Sequence, residues 1–193
     1  MKKLKSSFKN MTVVLTLVAV VTGALLAYVN NVTAKPIKDI QVKQLNDGIK
    51  NVIGVPDLTV KKDFDTVTRT YEGKQYTFVI YHTVDKAQKP LGVAVESTTN
   101  GFGGPLRVLV GFDNAGVIKG YTILESTETP GLGVRAATWF QKGGKGNIIG
   151  KNPSKPLAVS KDGGDVDAIT ASTITSRAFL KAINQAYMAV HQQ

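Results

Sequence analysis

The residues best suited to chemistry lie near the C-terminus, in the run Asp167-Ala168-Ile169-Thr170-Ala171-Ser172-Thr173-Ile174-Thr175-Ser176. Five of these ten side chains carry a hydroxyl, and the run opens into a segment where Phe179, Leu180, Ile183, Ala186, Tyr187 and Val190 recur as one apolar helical face. The start of such a helix has N–H groups without intrahelical acceptors and about half a positive elementary charge, so it favours a phosphate. Thr170, Ser172 and Thr175 can donate to phosphate oxygens, and a hydroxyl beside a bound phosphate can be esterified to it. Ser and Thr are also the ordinary residues for capping a helix, and on spacing alone capping is the stronger reading.

A second segment, Glu125-Ser126-Thr127-Glu128-Thr129-Pro130-Gly131-Leu132-Gly133, combines carboxylates with turn residues. Thr129-Pro130-Gly131 suits a type II turn, with Pro fixing φ and Gly where φ must be positive, and Leu132 is presented at its exit.

Asp167 to Thr173 resembles the Asp-x-x-Ser/Thr-Gly-Ala-Thr signature of the FMN-binding domain family, whose last Thr is joined to FMN through a phosphoester, and Thr173 occupies that position. Glu125 to Gly133 resembles the Glu-Thr-Pro-Gly-Leu-Gly loop of that family's membrane-bound electron-transport members. Two motifs in the right order, about forty residues apart and behind one apolar N-terminal segment, are more specific than either alone. The resemblance is to the G subunits of Rnf-type ion-translocating ferredoxin:NAD oxidoreductases, with the C subunits of sodium-translocating NADH:quinone reductases as relatives. Ala171-Ser172 stands where the family usually has Gly-Ala, so a residue free to adopt positive φ is replaced by one that is not.

The resemblance implies an electron-transfer subunit carrying covalent FMN on Thr173. It further implies a redox role within a translocase without independent activity, other subunits of the complex as partners, and a flavin transferase during maturation. Asp167 would then be a determinant for that transferase, its local alternative being an Asx-type turn. Thr170, Ala171, Ser172 and Thr175 would surround the phosphate. Around the ring, Leu132 would cover one face, Gly133 would permit close backbone approach, Thr129 would shape the turn, and Glu128 would orient the polar edge or fix the loop. Arg135 or Lys161 would supply a nearby positive charge. The competing class is a membrane-anchored scaffold or binding domain without a redox cofactor.

The elements that must position these residues follow from texture. Met11 to Val29 contains no charge and forms a helix of roughly 28 Å, enough to cross a bilayer. Lys2, Lys3, Lys5 and Lys9 precede it, so the positive-inside bias places residues 1–10 in the cytoplasm and residues 37–193 outside, the topology of a single-pass inner-membrane protein. A cleaved signal peptide, with Val32-Thr33-Ala34 as a small-residue site, is the alternative. Residues 30–36 read as a linker and Ile37 to Ile53 as a helix.

Beyond them, short β-branched and aromatic runs at Leu58–Val60, Thr66–Tyr71, Tyr76–Val84, Leu91–Ser97, Leu106–Phe112 and Val117–Glu125 predict an antiparallel meander. Asp113-Asn114-Ala115-Gly116 is the clearest hairpin turn and Glu72-Gly73-Lys74 a second. A short helix at Val134–Gln141, a strand near Leu157–Val159 and the terminal helix complete an α+β fold, an antiparallel β-meander with flanking helices.

Composition narrows the chemistry. With no cysteine, the chain has no thiolate metal site, iron–sulfur cluster or disulfide. His82 and His191 lack metal-ligand spacing, and no metal site is expected. Beyond the first 29 residues, 20 basic residues exceed 14 acidic ones by six. The cations from Arg135 to Lys161 lack the interleaved aromatics of a nucleic-acid surface, so no nucleic acid is expected. Gly101-Phe102-Gly103-Gly104 is glycine-rich but lies outside any βαβ unit and reads as a loop.

Overall fold

The computed structural model describes residues 7–55 and 58–191, without the side chains of 61–63. Lys2, Lys3 and Lys5, on which the orientation argument rests, lie outside the described residues. The chain divides into two compact units, one ending at Lys43 and one running from Gln44.

Helix α1 spans Phe8–Ile53 and is the one helix among the described residues long and apolar enough to cross a membrane. Its Leu15, Leu25 and Leu26 are exposed, as a lipid-facing surface requires. The expected linker at 30–36 is instead helical, with Pro36 inside α1. Continuing a helix adds one hydrogen bond per residue, whereas a break orphans backbone groups on both sides of it. Against that, Pro36 forfeits a single donor.

The second unit is built on a five-stranded antiparallel sheet in the order β1-β2-β3-β4-β5. Its strands are β1 Thr59–Tyr71, β2 Lys74–Val84, β3 Pro90–Asn100, β4 Pro105–Phe112 and β5 Ile118–Ser126. The two runs expected at Leu58–Val60 and Thr66–Tyr71 are one strand, with a register shift between Val60 and Phe64. Glu72 and Gly73 both have positive φ, as a two-residue hairpin turn demands. Asp113 closes the other expected turn: its carbonyl accepts from Gly116 N–H at 3.0 Å and its carboxylate from Ala115 and Val117 N–H, each at 2.9 Å.

Each face of the sheet is covered by a helix. Helix α3, Thr173–His191, lies chiefly across β3 and β4, with Phe179, Leu180 and Ile183 in a core shared with Phe78, Val108, Val110 and Phe140. Thr99 Oγ1 donates to the Ala178 carbonyl at 2.9 Å and ties α3 to β3. On the opposite face the last turns of α1 place Ile49, Val52 and Ile53 against Ala94 and Leu109.

That second contact depends on two glycines. Gly111 and Gly120 are cross-strand partners, and a Cβ on either would lie 2.5 or 2.9 Å from the Val52 carbonyl oxygen. Gly111→Ala is therefore expected to destabilise the domain by about 2 kcal/mol, the cost of overpacking against backbone that cannot rotate away. Urea denaturation would measure it. An unchanged midpoint would mean that the α1 end yields freely.

Between β5 and α3 the chain forms a 3-10 turn at Gly133–Arg135, helix α2 at Ala136–Trp139, and a long irregular segment. The strand expected at Leu157–Val159 reduces to one parallel bridge, Val159 to Val166. Asn184 of α3 takes both the N–H and the C=O of Leu157 at 2.9 Å, leaving neither for a ladder.

Candidate functional site

The two motifs meet. A cleft of about 400 Å³ is lined by Glu128, Thr129, Leu132 and Gly133 from the loop after β5, and by Ala171, Ser172, Thr173, Ile174 and Thr175 from the start of α3. Phe102, from the loop joining β3 and β4, forms a further wall. The volume falls in the range of small-molecule sites, roughly 300–1,000 Å³.

The loop after β5 turns as its residues require. Leu132 N–H bonds the Thr129 carbonyl at 3.1 Å across a turn whose Gly131 has φ +76°, so Leu132 projects at the exit, 40% exposed. At the other wall, Ser172 N–H bonds the Ile169 carbonyl at 2.9 Å, closing a tight turn in which Ala171 has φ +61°. The position that usually holds Gly thus keeps the left-handed geometry with Ala in it. Left-handed backbone costs an L-residue roughly 1–2 kcal/mol, partly offset by the smaller entropy Ala loses on folding. Ala171→Gly is accordingly expected to stabilise the domain by about 0.5–1 kcal/mol, read as an upward shift in melting temperature. A fall would show that the turn is not strained.

The hydroxyls of the run have different fates. Ser176 is fully buried, donating to the Ser172 carbonyl and accepting from Ile169 N–H, each at 2.9 Å. Thr175 is buried as well, its Oγ1 donating to Glu128 Oε2 at 2.9 Å, so its proton is committed within the protein rather than offered to a phosphate. Thr170 is exposed but not among the residues lining the cleft. Ser172 is buried at the cleft edge. Thr173 is half-buried and lines the cleft, at the first residue of α3. The first backbone bond into the helix runs from Ser176 N–H to the Ser172 carbonyl at 3.0 Å, so the N–H groups of Thr173, Ile174 and Thr175 precede it and are free for an anion.

Glu128 fixes the loops. Only 6% exposed, it accepts the Phe102 N–H at 2.7 Å and the Gly103 N–H at 3.4 Å on Oε1, and the Thr175 hydroxyl on Oε2. A Cβ at Gly101 or Gly133 would lie 2.0 or 2.3 Å from its carboxylate oxygens. The close approach that Gly133 permits is therefore to Glu128. The carboxylate ties three segments together at the cleft wall.

Three other candidates stand apart from the cleft. Asp167 is exposed; its carbonyl accepts the Trp139 Nε1–H at 2.8 Å and its carboxylate the Ser160 hydroxyl at 3.2 Å. Arg135 lies over the Trp139 ring, 4.7 Å from its centroid, and Lys161 sits in the turn at Ser160–Asp162. Neither cation lines the cleft. Arg177, the cation nearest in sequence to Thr173, makes a forked pair with Asp162 at 2.7 Å and holds that carboxyl below its usual range.

Sequence reasoning passed over Phe102, a large aromatic within three glycines between two strands, because the contacts that place it at the cleft come from a distant segment. At 70% exposure it stands with Leu132 and Ile174, the latter 53% exposed, as apolar surface around the cleft. Apolar walls, with free amides and a hydroxyl at one end, suit a planar ring carrying a phosphate.

Comparisons with known proteins agree. The FMN-binding domain family matches residues 101–188, which contain every residue lining the cleft. The G subunit of the ion-translocating oxidoreductase complex of Vibrio parahaemolyticus is 32% identical over 185 residues, covering 92% of this chain and 87% of its own. That of Photorhabdus laumondii is 31% identical over 180 residues, covering 90% and 85%. The crystal structure of NqrC from Shewanella oneidensis shares the fold with a TM-score of 0.56 at 16% identity, over 75% of this chain and 91% of that one. Because the likeness to these relatives runs nearly end to end and the cleft lies within the matched domain, the chain belongs to the family of G subunits of ion-translocating oxidoreductase complexes.

Proposed function

We propose that this protein is the electron-transfer subunit of an Rnf-type ferredoxin:NAD oxidoreductase, with FMN attached through a phosphoester to Thr173 in an extracytoplasmic domain. The carrying observation is the convergence of two motifs, 47 positions apart at Glu128 and Thr175, on one cleft with Thr173 in its wall. Membership of this family and the long apolar α1 support a place in a membrane complex beside other subunits.

Bound FMN supplies reversible one- and two-electron chemistry; the protein supplies placement. In the attachment, Thr173 Oγ1 would pass its proton to a base supplied by the transferase and bond to the flavin-side phosphorus of an anhydride-activated flavin nucleotide, as the P–O bond of the anhydride breaks and a nucleoside monophosphate leaves. Asp167, exposed and outside the cleft, is free to meet that transferase. The amides opening α3 would hold the phosphate, while Leu132 and Ile174 would offer the ring apolar surface. Attachment suits an extracytoplasmic site, because helix-end electrostatics contribute only about 0.3–1 kcal/mol at an exposed position and would not retain a diffusible cofactor.

The test is to purify the complex from its host, run it on a denaturing gel, and weigh the peptide containing Thr173. A fluorescent band with an FMN-sized mass increase on that peptide is expected. An unmodified peptide overturns the attachment.

A further inference from the structure

We propose that Phe102 is a positioning residue of the flavin site, held at the cleft mouth by Glu128 and packing its ring against the isoalloxazine. The inference rests on the flavin reading and extends it to a residue that neither motif contains.

Four observations carry it. Phe102 lines the cleft yet is 70% exposed, and among the described residues it takes part in no ring–ring contact. A large aromatic left in water at the edge of an apolar cleft has surface to bury against a planar ligand. Its backbone is not free to wander: Phe102 N–H donates to Glu128 Oε1 at 2.7 Å, and Gly101 N–H to the Gly104 carbonyl at 2.8 Å, closing the loop on itself. The neighbouring glycines are obligatory, since a Cβ at Gly101 would strike Glu128 at 2.0 Å and one at Gly103 the Thr127 carbonyl at 2.2 Å. Such a loop fixes where the ring starts and leaves only its side-chain torsions free.

Glu128 thereby acts on both walls at once. The carboxylate that receives the Phe102 amide also receives the Thr175 hydroxyl, close along α3 to Thr173. The aromatic and the phosphate end of the site are held at a fixed separation by one side chain.

The experiment uses the full-length protein with Phe102→Ala, Phe102→Leu and Phe102→Tyr, co-expressed with a flavin transferase. Stacking on an aromatic quenches flavin emission, so the native attached flavin should be dimmer than in the Ala and Leu variants, with Tyr restoring the quenching. After denaturation all four should fluoresce equally, because attachment is untouched. In parallel, unlabelled protein is titrated with free FMN: Phe102→Ala should weaken binding about tenfold, the scale of one lost stacking contact. Equal native emission and equal FMN affinity across the series overturn the role of Phe102 while leaving attachment at Thr173 intact. Absence of attached flavin and of FMN binding even in the native protein overturns this inference together with the reading beneath it.

Discussion

Thr173→Ala is expected to abolish the flavin that survives denaturation while leaving the domain folded. The hydroxyls near the site are not equivalent in the structure. Thr175 donates a hydrogen bond to Glu128 and is buried, Ser176 is enclosed by two local hydrogen bonds, and Thr170 does not line the cleft. Thr173 combines partial exposure with a place in the wall at the helix start. Ser172 also lines the cleft but is only 8% exposed, and Thr129 belongs to the other wall, away from the amides that open α3, so the loss should be essentially complete rather than partial. Stability should move by no more than about 0.5 kcal/mol, since the side chain is not packed in the core and Ala is the better helix former. Thr173→Ser keeps the oxygen and should retain label. In-gel fluorescence and peptide mass give the answer, and equal labelling of Thr173→Ala would move the attachment point to another side chain.

Much of this was legible from residue patterns, for identifiable reasons. The meander could be read because β-branched runs alternate with turns whose chemistry is local: Asp113 folds its carboxylate onto the amides of its own loop. Helix α3 could be read because its apolar face is continuous. The Thr129–Leu132 turn followed from Pro130 and Gly131 alone. What escaped was non-local. Nothing near Gly111 or Gly120 says that the Val52 carbonyl arrives from a helix some sixty residues earlier. Nothing near Leu157 says that Asn184 will consume its backbone groups. The same limit hid Phe102: its glycines read simply as a loop, but they are small to make room for the Glu128 carboxylate and the Thr127 backbone. The two motifs that meet at the cleft could be picked out as segments, whereas the wall from Phe102 depends on its contact with Glu128, which only the fold creates.

Glu128→Ala should be the most destabilising single change in the site, costing about 3 kcal/mol and lowering the melting temperature by roughly 6–12 °C for a domain of this size. The argument is one of stranded donors. Removing the carboxylate leaves the Phe102 and Gly103 amides and the Thr175 hydroxyl without their acceptor, and a hydrogen bond to a charged group contributes about 1.5–3 kcal/mol. The 3.4 Å contact from Gly103 is long and adds little, and water entering the emptied space recovers part of the rest, which holds the total near ~3 rather than ~6 kcal/mol. Glu128→Gln separates shape from charge. It keeps the volume and one good acceptor but presents an NH₂ group to one of two donors, so it should lie between the native protein and Glu128→Ala. Calorimetry of the flavin-free protein checks the order without any cofactor. If both variants melt with the native protein, Glu128 does not hold the loops together, and its burial at the cleft would need another explanation.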